Sequence, residues 1–549
     1  MANKSLSGKI TPVSFSHLPT GLLIIGYPVY WVELCFSKNN GGQTSLWASI
    51  LFFLLFLGCL LRERINILTG LKEIKSAWIK EPLSSRIFVG LGAGVAGFIL
   101  LCSLYAASLP PHLIQESDAL NYHYTLPRQH LILNSFQHIA WSSADLFLLP
   151  LQFALSPYWF VTSLPNKLPQ FIFLIGLIMM AASLLKHFGA NKITVVLLGI
   201  FAVMGSHNIG IQMGTAMLDL VICYLFLASL DSFLDGNIAL AAVEFSFFLW
   251  SKSFVPFQMI LIAAVMFLSF KALRVFDFRT ISWGVGGDIV LPEARECFSR
   301  SRKFLFAVAA LSLLIGGPFV AKSLYYSGTP LYPFGVGLLK FSEGQGSVPG
   351  QPLGEAAKIH IAMKDKYGYG RSAGDFLKHF WLIAVPEEGV NNKYDYPVGL
   401  PYLLCVGPFL YFLCRSFSRK IFPVIPVFVA VYWLVWWAGT QQTRFLYIPI
   451  ILMCVVVVSG LKKLTFIFQG AVLLALLLNL ASIARAHRGD WDRKPLQTLR
   501  EQDRGLVALN GSYIRQEQRG YVDLAFGDAA FAQFPVNATV EKLPFIIRY

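Results

Sequence analysis

Ile87-Phe-Val-Gly-Leu-Gly-Ala-Gly-Val-Ala-Gly-Phe-Ile-Leu-Leu-Cys-Ser-Leu-Tyr-Ala-Ala-Ser-Leu109 runs for 23 residues without a charge. As a helix rising about 1.5 Å per residue, it crosses a hydrocarbon layer of roughly 30 Å. A helix is what such a run must form there, because the layer offers no water to backbone N–H and C=O groups. A polar island follows at once: Gln115-Glu-Ser-Asp-Ala-Leu-Asn-Tyr-His-Tyr-Thr-Leu-Pro-Arg128. Two acids, a histidine and an arginine at the mouth of an apolar bundle need a reason, since charge is costly there.

The rest of the chain repeats the first half of this pattern. Of 549 residues, 55% are hydrophobic and only 14% charged, against roughly 25% charged in a soluble protein. This composition defines an all-α polytopic membrane protein. The net charge of +15 is not a nucleic-acid footprint, because the basic residues sit in short loops between apolar runs and set orientation. The eight cysteines form no CxxC pair, so neither a disulfide framework nor a zinc ribbon is indicated. No cleavage site clearly follows the first apolar run, so that run reads as an uncleaved span.

Basic segments fix the topology: 62–86, Lys186 to Lys192, 274–303, 415–420, and Lys462 with Lys463 belong on the cytoplasmic side. Spans that satisfy them lie at about 20–36, 45–61, 87–109, 163–186, 192–206, 210–231, 237–253, 254–273, 304–325, 400–414, 421–438, 444–461 and 464–485. They form a bundle of about 13 transmembrane helices. The transmembrane unit is 1–485, with outer loops at 110–162 and 326–399, and 486–549 is an extracytoplasmic tail. The run 145–160, interrupted by Pro150 and Pro157, breaks the parity if counted as a span. It reads as a partly immersed juxtamembrane helix on the outer face.

On this topology Glu116, Asp118, His123, Arg128, Asp219, Lys252 and Arg444 all lie at the outer face. Asp118 has two readings: a general base, or the cap of a helix beginning at Ala119. Glu116 is either a solvated loop acid or, with Asp118, half of a carboxylate pair for a divalent metal; no other cofactor is expected. Arg128, Lys252 and Arg444 suit a phosphate, or alternatively anchor at the headgroups. His123 either orients the loop or is a hydrogen-bonded structural residue. Asp219 either serves the chemistry or pairs with Lys252. Tyr332 and Tyr367 could stack on a sugar, as belt tyrosines also could.

Four motifs, in order across roughly 20–485, resemble the C-type (GT-C) glycosyltransferase superfamily. Glu116-Ser-Asp118 is similar to its altered acidic signature in the first outer loop. Asp118-Ala-Leu-Asn-Tyr-His123 is similar to a run in a bacterial branch of uncharacterised members. Gly328-Thr-Pro-Leu-Tyr-Pro333 resembles that branch's Gly-Asn-Pro-x-Tyr-Pro motif, with Thr329 replacing the usual Asn. Gln442-Thr-Arg-Phe-Leu-Tyr447 resembles an Arg-Tyr-Leu element opening a late span. The 145–160 segment brings no acid of the kind usual there.

The resemblance implies a multi-pass enzyme of the bacterial inner membrane with its site on the outer face. It would transfer a sugar, with inversion, from a polyprenyl-phosphate-linked donor to a lipid, glycan or protein acceptor. Its partners are that donor, the acceptor and membrane lipids, with no nucleic acid. The alternatives are a flippase or transporter of lipid-linked saccharides, and an O-antigen-type polymerase or ligase.

Overall fold

The computed structural model describes residues 15–36, 43–108, 118–139, 143–159, 167–190, 192–272, 281–282, 294–336, 357–358, 361–362, 367–384, 394–461 and 466–486. Glu116 and the tail from 487 onward lie outside them, and with them the expected metal pair and tail domain.

The described chain is helical. In order come α1 (Leu18–Phe36), α2 (Gln43–Lys80), α3 (Leu83–Ser108), α4 (Thr125–Leu133), α5 (Pro150–Trp159), α6 (Leu168–His187), α7 (Ile193–Met204), α8 (His207–Gln212), α9 (Asp219–Leu234), α10 (Ile238–Leu249) and α11 (Val255–Ala272). The second half adds α12 (Ala294–Ile315), α13 (Gly317–Ser327), α14 (Ala373–Leu382), α15 (Leu400–Ser418), α16 (Val424–Ala438), α17 (Tyr447–Gly460) and α18 (Phe466–Ala486). Among the described residues, six helices are long and apolar enough to cross a membrane, or seven if α12 and α13 count as one bent span. The other expected spans coincide with shorter helices or, at 45–61, with part of the longer α2.

Burial sorts the helices into shells. α9 and α17 are buried for nearly their whole length, α17 apolar all round and α9 apolar between polar ends, so they form the middle of the bundle. Trp47, Phe53, Leu101, Ile260, Phe306 and Ile467 stand exposed on the outer helices. An apolar surface so extensive belongs against lipid. Among the described residues, one parallel bridge, Ile281–Ser282 with Phe422–Pro423, brings two of the basic segments together.

Three features depart from the sequence expectations. The expected span 210–231 is two helices, α8 and α9, joined by a turn at 213–218. Gly214 sits there at φ +82°, where a Cβ would lie 2.6 Å from the Ser103 carbonyl oxygen. Only glycine fits both demands. Second, α12 and α13 meet at a 56° bend. At that bend the Trp250 indole fills the place of a Cβ on Gly316. Third, α5, expected as a juxtamembrane helix, is enclosed by the bundle: all ten of its residues are buried. It lies in close contact with α1, where a Cβ on Gly26 would come 2.0 Å from the Ala154 carbonyl oxygen.

Buried charges pin the bundle together. Glu244, in the middle of α10, is fully buried. It accepts from Thr20 Oγ1 at 2.8 Å and Ser232 Oγ at 2.8 Å, and faces His17 Nδ1 at 2.9 Å. His17 Nε2 lies 3.2 Å from Asp231 of α9, so one imidazole ties the start of α1 to two inner helices.

The α1–α5 contact gives a direct test. Gly26→Ala drives a methyl into backbone and should cost about 1–3 kcal/mol. Gly97→Ala, which meets nothing within 4 Å, should leave the detergent-solubilised melting temperature unchanged. Equal melting temperatures for the two variants would refute this packing.

Candidate active site at the head of the bundle

The polar island is wound more loosely than an α-helix. Ala119–His123 form a π-helical turn closed by Tyr124 N donating to Ala119 O at 2.9 Å, and α4 continues from it. Such turns are rare and cluster at functional sites. Asp118 heads it with helical φ and ψ (−60°, −39°) and makes no capping hydrogen bond. The helix-cap reading therefore does not describe it. Its carboxylate accepts instead from Arg444 Nη1 at 3.0 Å.

Arg444 is set by its neighbours. It lies in the 3-10 turn Thr443–Leu446 that leads into α17. Asn208 Nδ2 of α8 donates to Thr443 O, and Tyr447 donates to Asn208 O at 2.8 Å. The Thr443 hydroxyl donates to Tyr394 O at 2.7 Å and accepts from Tyr396 N at 3.1 Å. That clamp presents Asp395, at φ +79°, to the other side of the guanidinium: Arg444 Nε lies 3.2 Å from its Oδ2. One guanidinium thus bridges two carboxylates from segments 277 residues apart, Asp395 minus Asp118.

A second pair lies against the first. Lys252 Nζ contacts Asp219 Oδ1 at 2.5 Å, and Gln212 Nε2 donates to Asp219 Oδ2 at 3.3 Å. Lys252 Nζ and the Arg444 guanidinium both lie over the Phe445 ring, at 4.7 and 5.3 Å. Below them is a recess of about 30 Å³, lined by Asp219, Lys252, Arg444 and Tyr447 among others, enough for a water molecule rather than a sugar.

The electrostatics separate the acids. Burial alone would raise Asp118, but Arg444, with His123 and Lys252, holds the carboxyl below its usual value. Burial pushes Asp395 up to about 6, with Asp219 and Asp118 adding to the rise and Arg444 opposing it. Burial likewise drives His123 down to about 3, so its ring is neutral at pH 7. His123 Nδ1 lies 3.1 Å from the Gln152 amide of α5. Two carboxyl groups with separated titrations, one guanidinium between them and an ammonium beside them form a centre able to move a proton and hold an anion.

Asp118, His123, Asp219, Lys252 and Arg444 therefore share one locus, and Asp219 does pair with Lys252. Arg128 is half-buried on α4, just past the π turn. Tyr332 is fully buried, with its ring 5.9 Å from that of Phe147, which in turn lies 6.2 Å from the Tyr122 ring. Tyr367 is half-buried in the turn before α14. Asp395 was not anticipated, because its loop has no periodicity and its role appears only from the clamp.

Asp145, which opens the 145–160 segment, was not anticipated as a buried charge either. It is fully buried beside Lys322 Nζ at 2.7 Å, His130 Nε2 at 2.6 Å and His138 Nδ1 at 3.1 Å. Burial would raise its carboxyl, but Lys322 and His130 hold it well below the usual range. Leu148 N donates to Ser253 Oγ at 3.3 Å, joining this segment to the turn that carries Lys252. Lys322 also forms the floor of an open cleft of about 620 Å³, walled by Tyr27, Trp31, Phe136, Pro318 and Tyr326.

No family model matches this chain, and the searches of curated proteins and of solved structures returned no match.

The Lys252–Asp219 pair is largely buried, at 18% and 4% side-chain exposure. Lys252→Met should destabilise the protein by about 3–5 kcal/mol, because it strands a buried carboxylate. Lys252→Met combined with Asp219→Asn should recover most of that loss. Additive losses in a thermal-unfolding cycle would rule out the coupling.

Proposed function

We propose that this chain is a GT-C-like membrane glycosyltransferase. It transfers a sugar from a polyprenyl-phosphate-linked donor to a hydroxyl-bearing lipid, glycan or protein acceptor, with inversion. In this reading the bundle has about 13 spans, counting the shorter helices. It lies in a bacterial inner membrane with Asp118 on the outer face. The observation that carries the reading is Arg444 held between Asp118 and Asp395 beside the Lys252–Asp219 pair.

The chemistry follows from that arrangement. The acceptor hydroxyl attacks the anomeric carbon as Asp118 takes its proton. The anomeric C–O bond to phosphate breaks, and the electron pair leaves on the phosphate oxygen. Arg444 and Lys252 stabilise the departing phosphate, the guanidinium matching its oxygens in a fork. Before the donor binds, both cations are occupied by carboxylates. A donor phosphate that draws Arg444 away releases Asp118 from the charge that depresses its basicity. The base is thereby strengthened when the leaving group is in place. The polyprenyl chain has an apolar berth in the 620 Å³ cleft, a volume in the usual range for ligand sites. A divalent cation would be held by Asp118 with Glu116.

One feature favours a flippase: the break between α8 and α9 sets Asp219 at the start of a half-helix, as in discontinuous transporter helices. Release of free polyprenyl phosphate from a labelled donor separates the two, since a flippase leaves the donor intact.

Asp118→Asn should lower turnover at least ~100-fold, the lower end of what a general base contributes, with insertion and melting temperature retained. Near-normal turnover would exclude Asp118 as the base.

Asp395 adds a pH dependence. Below about 6 it is neutral and leaves Arg444 freer; above, its charge competes with the ligand for the guanidinium. Affinity for a phosphodiester analogue, whose own charge does not titrate in this range, should weaken as pH rises through 6. In Asp395→Asn the profile should be flat and tight. A wild-type profile already flat from pH 5 to 8 would contradict the assignment.

A further inference from the structure

The helix that carries Asp219 has a second polar centre at its other end. α9 spans 16 residues, about 24 Å at 1.5 Å per residue. Asp231 and Asp235 stand four residues apart at its C-terminal end, so they share a face. His187, the last residue of α6, turns towards them. Its Nε2 lies 3.4 Å from Asp231 Oδ1 and 3.3 Å from Asp235 Oδ1. The three ligand atoms all lie within 4.8 Å of one another.

Those distances are long for charged hydrogen bonds, which run at about 2.7–2.9 Å. They are the donor–donor spacing of a tetrahedral shell: with bonds of about 2.0–2.1 Å, neighbouring donors stand roughly 3.3–3.4 Å apart. A second observation points the same way. Asp231 is 1% exposed, and no donor meets hydrogen-bond geometry at its Oδ1, which faces His187 Nε2 at 3.4 Å with the Ser183 hydroxyl beside the carboxylate. Its other oxygen is held by His17 Nε2 at 3.2 Å, and His17 is held in turn by Glu244. This is the outer-shell support that orients a ligating carboxylate. Asp235 and His187 are 51% and 29% exposed, so the open side faces solvent. Arg300 lies against Gly236 at the same end.

The geometry points to a zinc-type divalent cation site formed by His187 Nε2, Asp231 Oδ1 and Asp235 Oδ1, with water as fourth ligand, fastening the C-terminal ends of α6 and α9. Imidazole with two carboxylates, each at tetrahedral spacing from its Nε2, suits Zn²⁺ better than Ca²⁺ or Mg²⁺, which take six or more oxygens. The site is independent of the transfer reaction.

The test uses the full-length, tag-free protein in detergent, stripped with EDTA and then exposed to Zn²⁺ alone. Wild type should retain about one more equivalent of zinc after desalting than the His187→Ala/Asp235→Ala variant, and zinc should raise its melting temperature. Asp235→Asn, isosteric and half-exposed, should weaken zinc binding ~10-fold or more while the metal-free melting temperature stays unchanged. Co²⁺ substitution should give the intense visible bands of a tetrahedral site, lost in His187→Ala. Equal zinc retention in wild type and variants, no retention by wild type, or octahedral Co²⁺ spectra would each overturn the proposal and leave a simple ion-pair cluster.

Discussion

A buried charge in an apolar bundle must be met by another group, and that requirement shapes this protein more than any apolar contact does. Leu, Val and Phe dominate the interior, but against lipid they confer little register, since one apolar neighbour is much like another. The charged residues are specific. Glu244 needs His17, Asp145 needs Lys322 and two histidines, Asp219 needs Lys252, and Asp118 with Asp395 needs Arg444. Each set joins segments distant in sequence, and together they define which helices are neighbours and at what height.

The same requirement gives the head of the bundle its character. Three acids and two cations from five segments would be an expensive collection in any protein. Here the sharing of one guanidinium between two carboxylates leaves the acids unequal: Asp118 stays ionised, while Asp395 is moved towards neutrality. Neither acid differs in chemical type. Burial raises both; their difference comes from the like charges that face Asp395 and from the cations that face Asp118. A site of this kind is poised, because any anion that takes the guanidinium changes both acids at once.

Much of this was legible in the amino-acid sequence, and the reasons are physical. Apolar runs must be helices in lipid, so their positions could be read directly. The basic loops sorted the remaining polar residues onto two faces, which is why Asp118, His123, Asp219, Lys252 and Arg444 could be grouped without a structure. What failed to show was whatever depends on local backbone geometry. The α8–α9 break rests on one left-handed glycine pressed against a carbonyl, and Asp395 on a loop shaped by a threonine hydroxyl. Asp145 was hidden by position, since an acid at the head of an apolar run reads as its boundary. Tyr332 shows the same limit: a motif tyrosine near a span end could be read, but its complete burial could not.

The Asp118–Arg444 contact spans 326 residues, and that separation has a temporal meaning. A ribosome feeding this chain into a membrane delivers Asp118 early and Arg444 among the last helices. For most of synthesis the acid has no partner and the centre does not exist. His17 waits similarly for Glu244, 227 residues later. The polypeptide therefore matures as a late closure, in which the final helices complete what the first ones left open. Any nascent fragment ending before residue 444 would lack the guanidinium that Asp118 and Asp395 share.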